Sequence, residues 1–424
     1  MKSKAARRCL AALRCVVSRR TAETRGQLPR GLCPSAARTW GNFRKKELKS
    51  ELSDLVSVTH TASYEQEAVT AAVRTHFHRL GLGEKLRPGM QVLIKPNLLL
   101  KRRPEEGTTT HPALIAAIAL CLRELGIEDI VIADSPGGPY AALSLGPIYE
   151  ATGMRAAAQR SGARLNQDFG SFQRTAAGRL VQSFTLINPV RDADFIIDAA
   201  KLKTHGMTLL SGAVKNLFGT VPGLMKPEFH WRFPEREAFC GMLVDLCETV
   251  KPGAVFVDAI TSMEGDGPSG GTLRDTGMLL ASESPYAMDL ALCRVIGAAP
   301  EQVDTVRISM ERGLCSPEAL TLAGDSLKTF SDYRMPRSRS LSFTEHIPKA
   351  LRGAADRLLT TRPVVQSRRC LGCGKCAESC PAKTIRIDAG KARIDYSRCI
   401  RCFCCHEMCP FKAITLRRLK LFNW

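Results

Sequence analysis

Cys370-Leu371-Gly372-Cys373-Gly374-Lys375-Cys376-Ala377-Glu378-Ser379-Cys380-Pro381 is the stretch on which the reading of this chain turns. Its thiols stand at C-x2-C-x2-C-x3-C. Twenty-nine residues on, Cys399, Cys402, Cys405 and Cys409 repeat the spacing and Pro410 closes it. Four soft thiolates suit a cubane of iron and sulfide. In this double pattern the fourth cysteine of each run ligates the other run's cluster. The spacing therefore assigns Cys370, Cys373, Cys376 and Cys409 to one [4Fe–4S] cluster, and Cys399, Cys402, Cys405 and Cys380 to a second. Structural zinc pairs two C-x2-C knuckles and has no use for a third cysteine two residues on. A disulfide framework needs an oxidising compartment, and no secretory h-region is read here.

Residues 364–418 resemble a bacterial-type two-cluster ferredoxin. The apolar runs Thr384–Ile387 and Ala392–Ile394 are expected to form small hairpin strands around Asp388–Gly390. The internal repeat implies approximate two-fold symmetry. Cys404 is a ninth cysteine beside Cys405, either a buried spectator or an exchanging ligand. The resemblance implies a carrier of single electrons, and hence an electron donor or acceptor protein as partner.

The formal net charge of +20 suggests nucleic acid until it is divided along the chain. Residues 1–50 hold 14 Lys/Arg against 2 acidic residues and residues 361–424 hold 14 against 4, which leaves 33 against 35 in between. The large middle segment is not basic, and the terminal excess is partly offset by the negative charge of thiolate-ligated clusters. Binding of nucleic acid through a basic face is not expected. No apolar run approaches the ~18 residues of a membrane span. Residues 1–50, rich in Arg, Ala and Ser, read as a disordered basic leader. A transit peptide fits the same composition, so the expected location is cytoplasmic, with an organelle as the alternative.

Residues 51–329 read as a largely parallel-sheet α/β domain, 330–363 as a linker with a possible helix at Ile347–Leu359, and 364–424 as a small α+β two-cluster domain. Strands are expected at Leu55–His60, Met90–Ile94, Asp129–Ala133, Ala163–Asn166, Leu180–Ile187, Phe195–Ala199, Ala254–Ala259 and Met278–Ala281. Helices are expected at Glu65–Leu80, Ala113–Leu125, Ile148–Ser161, Arg236–Val250, Ala287–Ile296 and Val303–Arg312. In such sheets ligands bind beyond the carboxyl ends of the strands. The unusual residues collect there: Lys95, His111, Lys203, His205, Lys215 and His230, all expected in loops.

Lys95-Pro96-Asn97-Leu98, Thr109-Thr110-His111-Pro112, Asp134–Gly138, Lys201–Gly206, Ser211–Gly223 and Gly265–Gly271, in this order and ahead of the cysteine domain, resemble domain-of-unknown-function family 362 across residues 52–325. His205-x9-Lys215, with Ser211-Gly212 before the lysine and Pro222-Gly223 after it, is also similar to a segment of the nickel-pincer lactate racemase family. There the matching histidine serves in acid–base catalysis, the lysine tethers the cofactor, and a later histidine, matched by His230, binds nickel. Gly212-Ala213 stands where that family has a double glycine. The resemblance thus implies a shared ligand pocket rather than nickel or racemase chemistry.

His205, Lys215, His111, Lys203 and His230 are the catalytic candidates, and Lys95 and Asn97 the cofactor-binding candidates, for a small anionic ligand. Glu264–Gly271 could hold a cation through Glu264 and Asp266, or form a tight turn. No phosphate-loop or dinucleotide fingerprint is present. An iron–sulfur oxidoreductase acting on a small anionic substrate is the leading expectation. A ligand-gated electron carrier and a metal or cluster maturation factor are the alternatives.

Overall fold

Val92, Leu93 and Ile94 are all fully buried, and a run apolar on both sides fits only a strand covered on both faces. That strand, β2 (Gln91–Pro96), pairs in parallel with β3 (Asp129–Ile132) and β7 (Phe195–His205). The computed structural model, which describes residues 54–338 and 361–417, extends this centre into a nine-stranded sheet. Its order is β11 (Thr321–Gly324), β1 (Leu55–His60), β10 (Thr272–Ser282), β9 (Ala254–Glu264), β7, β2, β3 and β4 (Arg164–Leu165), with β8 (Leu209–Ser211) paired to the end of β7. All strands run parallel except β10 and β8. A separate hairpin joins β5 (Ser171–Thr175) to β6 (Ser183–Ile187). The expected α/β class with a largely parallel sheet is the class observed. The leader and Ile347–Leu359 lie outside the described residues.

Alternation along the strands sorts the core into two layers. Val92, Ile94, Ile132, Ile197 and Phe256 meet the helices Gln66–Arg79, Pro112–Glu124 and Met154–Ser161. Leu93, Val131, Ile196, Val255 and Val257 meet Arg236–Val250, Pro285–Val295 and Asp304–Glu311. Each aliphatic side chain enclosed this way contributes about 1.5–3 kcal/mol. The helix Arg236–Val250 is buried on every side from Phe239 to Cys247, as suits a largely apolar run set inside the layer. It stops where Lys251 turns to φ 52° and Pro252 can donate no N–H.

Several boundaries differ from expectation. The single helix expected over Ile148–Ser161 is two, Ala142–Ala151 and Met154–Ser161, broken where Gly153 takes φ 75° against the ring of Pro112. β7 does not end at Ala199 but runs to His205, because β8 folds back onto Lys203–His205 and satisfies its backbone. Lys203 and His205 are therefore strand residues, Lys95 lies in β2, and Lys215 and His230 sit on the short helices Ala213–Asn216 and Lys226–Arg232. Residues 330–338 also belong to the sheet domain. Phe330, Tyr333 and Met335 pack on its core, and Arg334 pairs with Glu264 at 2.6 Å.

In the cysteine domain β12 (Arg362–Val365) pairs antiparallel with β15 (Ile414–Arg417), and β13 (Ile385–Asp388) with β14 (Lys391–Ile394). One helical turn follows each cysteine run's start, Lys375–Glu378 and Cys404–Glu407. Within the sheet, the chain leaves β2 for β3 and β4, then crosses back to β7 and β9. The strand order therefore reverses between β2 and β7. At such a point the connections diverge to opposite faces and leave a crevice past the strand ends. No helix among the described residues is long and apolar enough to cross a membrane.

Candidate functional site

The cysteines gather into two sets. One void is lined by Cys370, Cys373, Cys376 and Cys409, another by Cys380, Cys399, Cys402 and Cys405. Each set takes one thiol from the other run, the crossing that the spacing implies. The sulfurs surround space instead of closing on a point. Among the described residues no three His, Cys, Asp or Glu side chains are placed to hold a single metal ion. Backbone N–H groups of Ala392, Thr384 and Ala413 donate to the sulfurs of Cys370, Cys380 and Cys409 at 3.3, 3.4 and 3.2 Å. Such donors suit thiolates, which accept hydrogen bonds and offer none. The donor set therefore fits iron–sulfur clusters.

Past the ends of β2, β3 and β7 lies a cavity of about 460 Å³. Its sheet-side wall carries Lys95, Asn97, Asp134, Lys215, Lys226 and His230. The opposite wall comes from the cysteine domain: Lys375, Ser379, Cys404, Glu407, Met408 and Pro410. The two parts are fastened around it. Arg102 Nη2 donates to the Cys409 carbonyl at 3.2 Å, Ser269 Oγ to the Glu407 carbonyl at 3.1 Å, and His406 Nε2 lies 3.1 Å from the Asp266 carbonyl. A side chain at Gly137 would collide with Met408.

Lys95 is completely buried and stands 2.9 Å from the Asp134 carboxylate. Gly219 lies so close that a Cβ there would overlap that carboxylate. Lys226 donates to the Ser135 carbonyl, and burial brings its ammonium down to about pKa 7 even though Asp134 pulls the other way. Lys215 is also lowered by burial, with Glu407 opposing. Both lysines keep some accessible area. A surface that is accessible but desolvated is the wall of a deep cavity. Lys215 has no hydrogen bond or ion pair among the described residues, only the Phe218 ring 6.0 Å away. His230 stacks on Phe239 at 4.3 Å, and burial pushes its imidazole down to about 3. Among the described residues its Nδ1 is enclosed without a partner.

Behind this wall runs a polar chain. Lys203 Nζ donates to Asn97 Oδ1 (2.7 Å), Asn97 Nδ2 to Asn216 Oδ1 (2.7 Å), and Asn216 Nδ2 to Asp198 (2.7 Å). It ties β2 and β7 to the helix that carries Lys215. Asp289 anchors the start of that helix through the Ala213 and Val214 N–H groups at 2.6 and 3.1 Å. Lys203 is pushed well below the usual lysine range by burial and by Lys215. Asn97 reaches the cavity; Lys203 supports it from behind.

His205 faces Glu407 of the cysteine domain, Nε2 to Oε1 at 2.8 Å. The approach is too oblique for a well-formed hydrogen bond, so it counts as an electrostatic contact. Its Nδ1 accepts from the Met207 and Thr208 N–H groups at 3.0 and 3.3 Å. The proton therefore sits on Nε2, toward Glu407. Burial and Lys215 lower this imidazole to about 4, so at neutral pH an uncharged ring meets a carboxylate. His205 thus positions Glu407 and does not line the cavity. His111 is elsewhere. It caps the helix Pro112–Glu124 (Ala113 N–H to Nδ1, 3.2 Å) and stacks on Tyr64 at 3.7 Å, beside the buried Lys201–Asp258 pair (2.8 Å). Its ring is held there by the cap and the stack, away from the cavity. Glu264 and Asp266, the possible cation ligands, are met by Arg274 (3.1 Å), Arg334 (2.6 Å) and Arg337 (3.6 Å) instead, and Gly265 turns at φ 76°. The segment is a turn held by arginines.

Sequence reasoning passed over Lys226, Asp289 and Glu407, and quoted Asp134 only as the start of the Asp134–Gly138 stretch, with no role of its own. Lys226-Pro227 opens a helix, which marks it only faintly. Glu407 lies inside the second cysteine run, where the thiols absorb all notice.

Residues 92–294 match the domain of unknown function DUF362, and residues 362–410 a 4Fe-4S dicluster domain. A thylakoid-associated protein of Synechocystis sp. is 33% identical over 274 residues, 63% of this chain and 82% of that protein. Among solved structures, the lactate racemase apoprotein from Thermoanaerobacterium thermosaccharolyticum shares 14% identity at a TM-score of 0.36, covering 56% of each chain. A Thermotoga maritima protein shares 14% at 0.31, covering 48% of this chain and 52% of that one.

Proposed function

Because the chain belongs to the DUF362 family and joins it to an iron–sulfur dicluster domain, we propose that it is a ferredoxin-coupled oxidoreductase with two [4Fe–4S] clusters, acting on a small anionic substrate. One observation carries this reading: the cavity is shared, with Lys215, Lys226 and His230 on one wall and Cys404, Glu407 and Met408 on the other. Bound clusters supply or take up single electrons next to that space. The chain's own residues do the rest. Lys215 and Lys226 hold the anion, and the cysteine domain covers it from one side. Lys226, with a pKa of about 7, can give a proton at Nζ and take it back near neutrality. An external redox protein exchanges the electrons.

The test is reoxidation of reduced clusters. Anaerobic protein, reduced with dithionite and desalted, is mixed with the small-molecule fraction of a cell extract, and bleaching of the visible absorbance is reversed as electrons leave. Wild type is expected to reoxidise at least tenfold faster than Lys215→Met, with equal iron content in both. Equal rates would remove the cavity from the reaction and leave a plain electron carrier.

A further inference from the structure

We propose that the cavity selects an amphiphilic monocarboxylate, its carboxylate held at Lys215 and His230 and its apolar body directed toward Leu143 and Leu224. The inference rests on the cavity being the ligand chamber and adds the class of ligand.

Charge limits the head group. The lining cations Lys95, Lys101, Lys215 and Lys226 face the carboxylates Asp134 and Glu407. Arg102 is taken up by Glu106 at 3.2 Å and Lys375 by Glu378 at 2.8 Å. Positive charge is left over, which calls for an anionic head group, and Lys215 is the deepest of these cations without a carboxylate of its own.

The unused donors agree with a carboxylate. Among the described residues Lys215 lacks any hydrogen-bond or ion-pair partner and neither ring nitrogen of His230 makes a hydrogen bond; Nδ1 is enclosed by protein, so Nε2 is the nitrogen left to meet a ligand. Buried polar atoms are nearly always paired. These two line one cavity, and a carboxylate has two oxygens to offer them. The neutral imidazole supplies one N–H, and Lys215 the charge.

The remaining walls favour an apolar body. Leu99, Leu100, Pro139, Leu143, Ile148 and Leu224 line the cavity, facing Met408 and Pro410. Leu143 is 93% and Leu224 59% exposed. A single exposed leucine needs no explanation, but two on the lining of one cavity form an apolar approach to it. The volume lies within the range that encloses small organic ligands.

The experiment is calorimetric titration of the full, cluster-loaded protein under anaerobic conditions at pH 6.5, using decanoate, 1-decanol, acetate and decyl phosphate. Decanoate is expected to bind at least tenfold tighter than 1-decanol and tighter than decyl phosphate. It should exceed acetate by more than about a hundredfold, which requires only four enclosed methylenes at about fourfold each. Lys215→Met should erase the preference for decanoate over 1-decanol while leaving cluster absorbance unchanged. The double variant Leu143→Ser/Leu224→Ser should weaken decanoate and not acetate, which separates wall contacts from misfolding. Acetate matching decanoate, decyl phosphate binding more tightly, or an unaltered Lys215→Met would each overturn the proposal. If decanoate binds as expected but no extract reoxidises the clusters, the catalytic reading falls and this one stands. Reoxidation that depends on Lys215 in a protein indifferent to decanoate overturns the ligand class and leaves the catalytic reading standing.

Discussion

Replacing Asp134 with asparagine keeps the side chain's shape and an acceptor for the Leu98 N–H, 2.9 Å away in the native protein. It leaves the Lys95 ammonium, 0% exposed, with the Pro96 carbonyl at 3.0 Å and only the buried Asp198, whose own carboxyl burial pushes toward the neutral form, as a remaining acidic neighbour. Breaking one side of a buried ion pair costs about 3–5 kcal/mol, because the survivor is a charge without water or counterion. A second route gives a ceiling: an ordinary lysine can shed its proton at pH 7 for about 4.6 kcal/mol, so an unpaired ammonium cannot cost more. The two agree on a loss of about 3–4.6 kcal/mol, about a fifth or more of the stability of an ordinary domain. Equilibrium urea unfolding of the anaerobic protein, followed by far-UV circular dichroism, measures it. With m near 3 kcal/mol/M the midpoint should fall by about 1–1.5 M. The double variant Lys95→Met/Asp134→Asn removes both charges, keeps the acceptor for the Leu98 N–H and should recover most of the loss. A fall below about 1 kcal/mol, or no recovery in the double variant, would show that the pair is not the desolvated contact its geometry describes.

Anaerobic protein should contain about eight iron and eight acid-labile sulfide per chain; two zinc and no sulfide would end the cluster assignment. Cys380→Ala should damage the cluster bound by Cys399, Cys402 and Cys405, and Cys409→Ala the other, so EPR spectra of the two variants should lose different signals. Lys226 is charged below about pH 7 and neutral above, so anion affinity should drop as pH rises through 7 and the break should vanish in Lys226→Met. The same depressed pKa means that the unfolded chain binds one more proton between pH 7 and the ordinary lysine value. This group's contribution to stability therefore grows as pH rises through that window. Gly219→Ala should cost about 1–3 kcal/mol by thermal or urea unfolding, since the new methyl must displace the Asp134 carboxylate.

Much of this protein was legible in one dimension because some chemistry is written at short range. Cys370 to Cys380 and Cys399 to Cys409 carry their ligand spacing within single turns of chain, and the crossing of the fourth thiols follows from that spacing. Buried runs such as Val92–Ile94 announce interior strands, and parallel pairing then places Lys95, Asn97 and Lys203 near strand ends. The tertiary structure decided which of those ends share a space. His111 and Lys203 follow or end strands just as Lys95 does, yet one caps a helix and the other braces Asn97 from behind. Lys226, unremarkable in the sequence, reaches the cavity. Glu407, from the distant cysteine domain, completes the wall that His205 supports. Burial and electrostatic partnership are relations between distant residues, with no period or spacing to mark them. A lysine becomes an anion holder with a pKa near 7 only when the packing of other elements takes its water away.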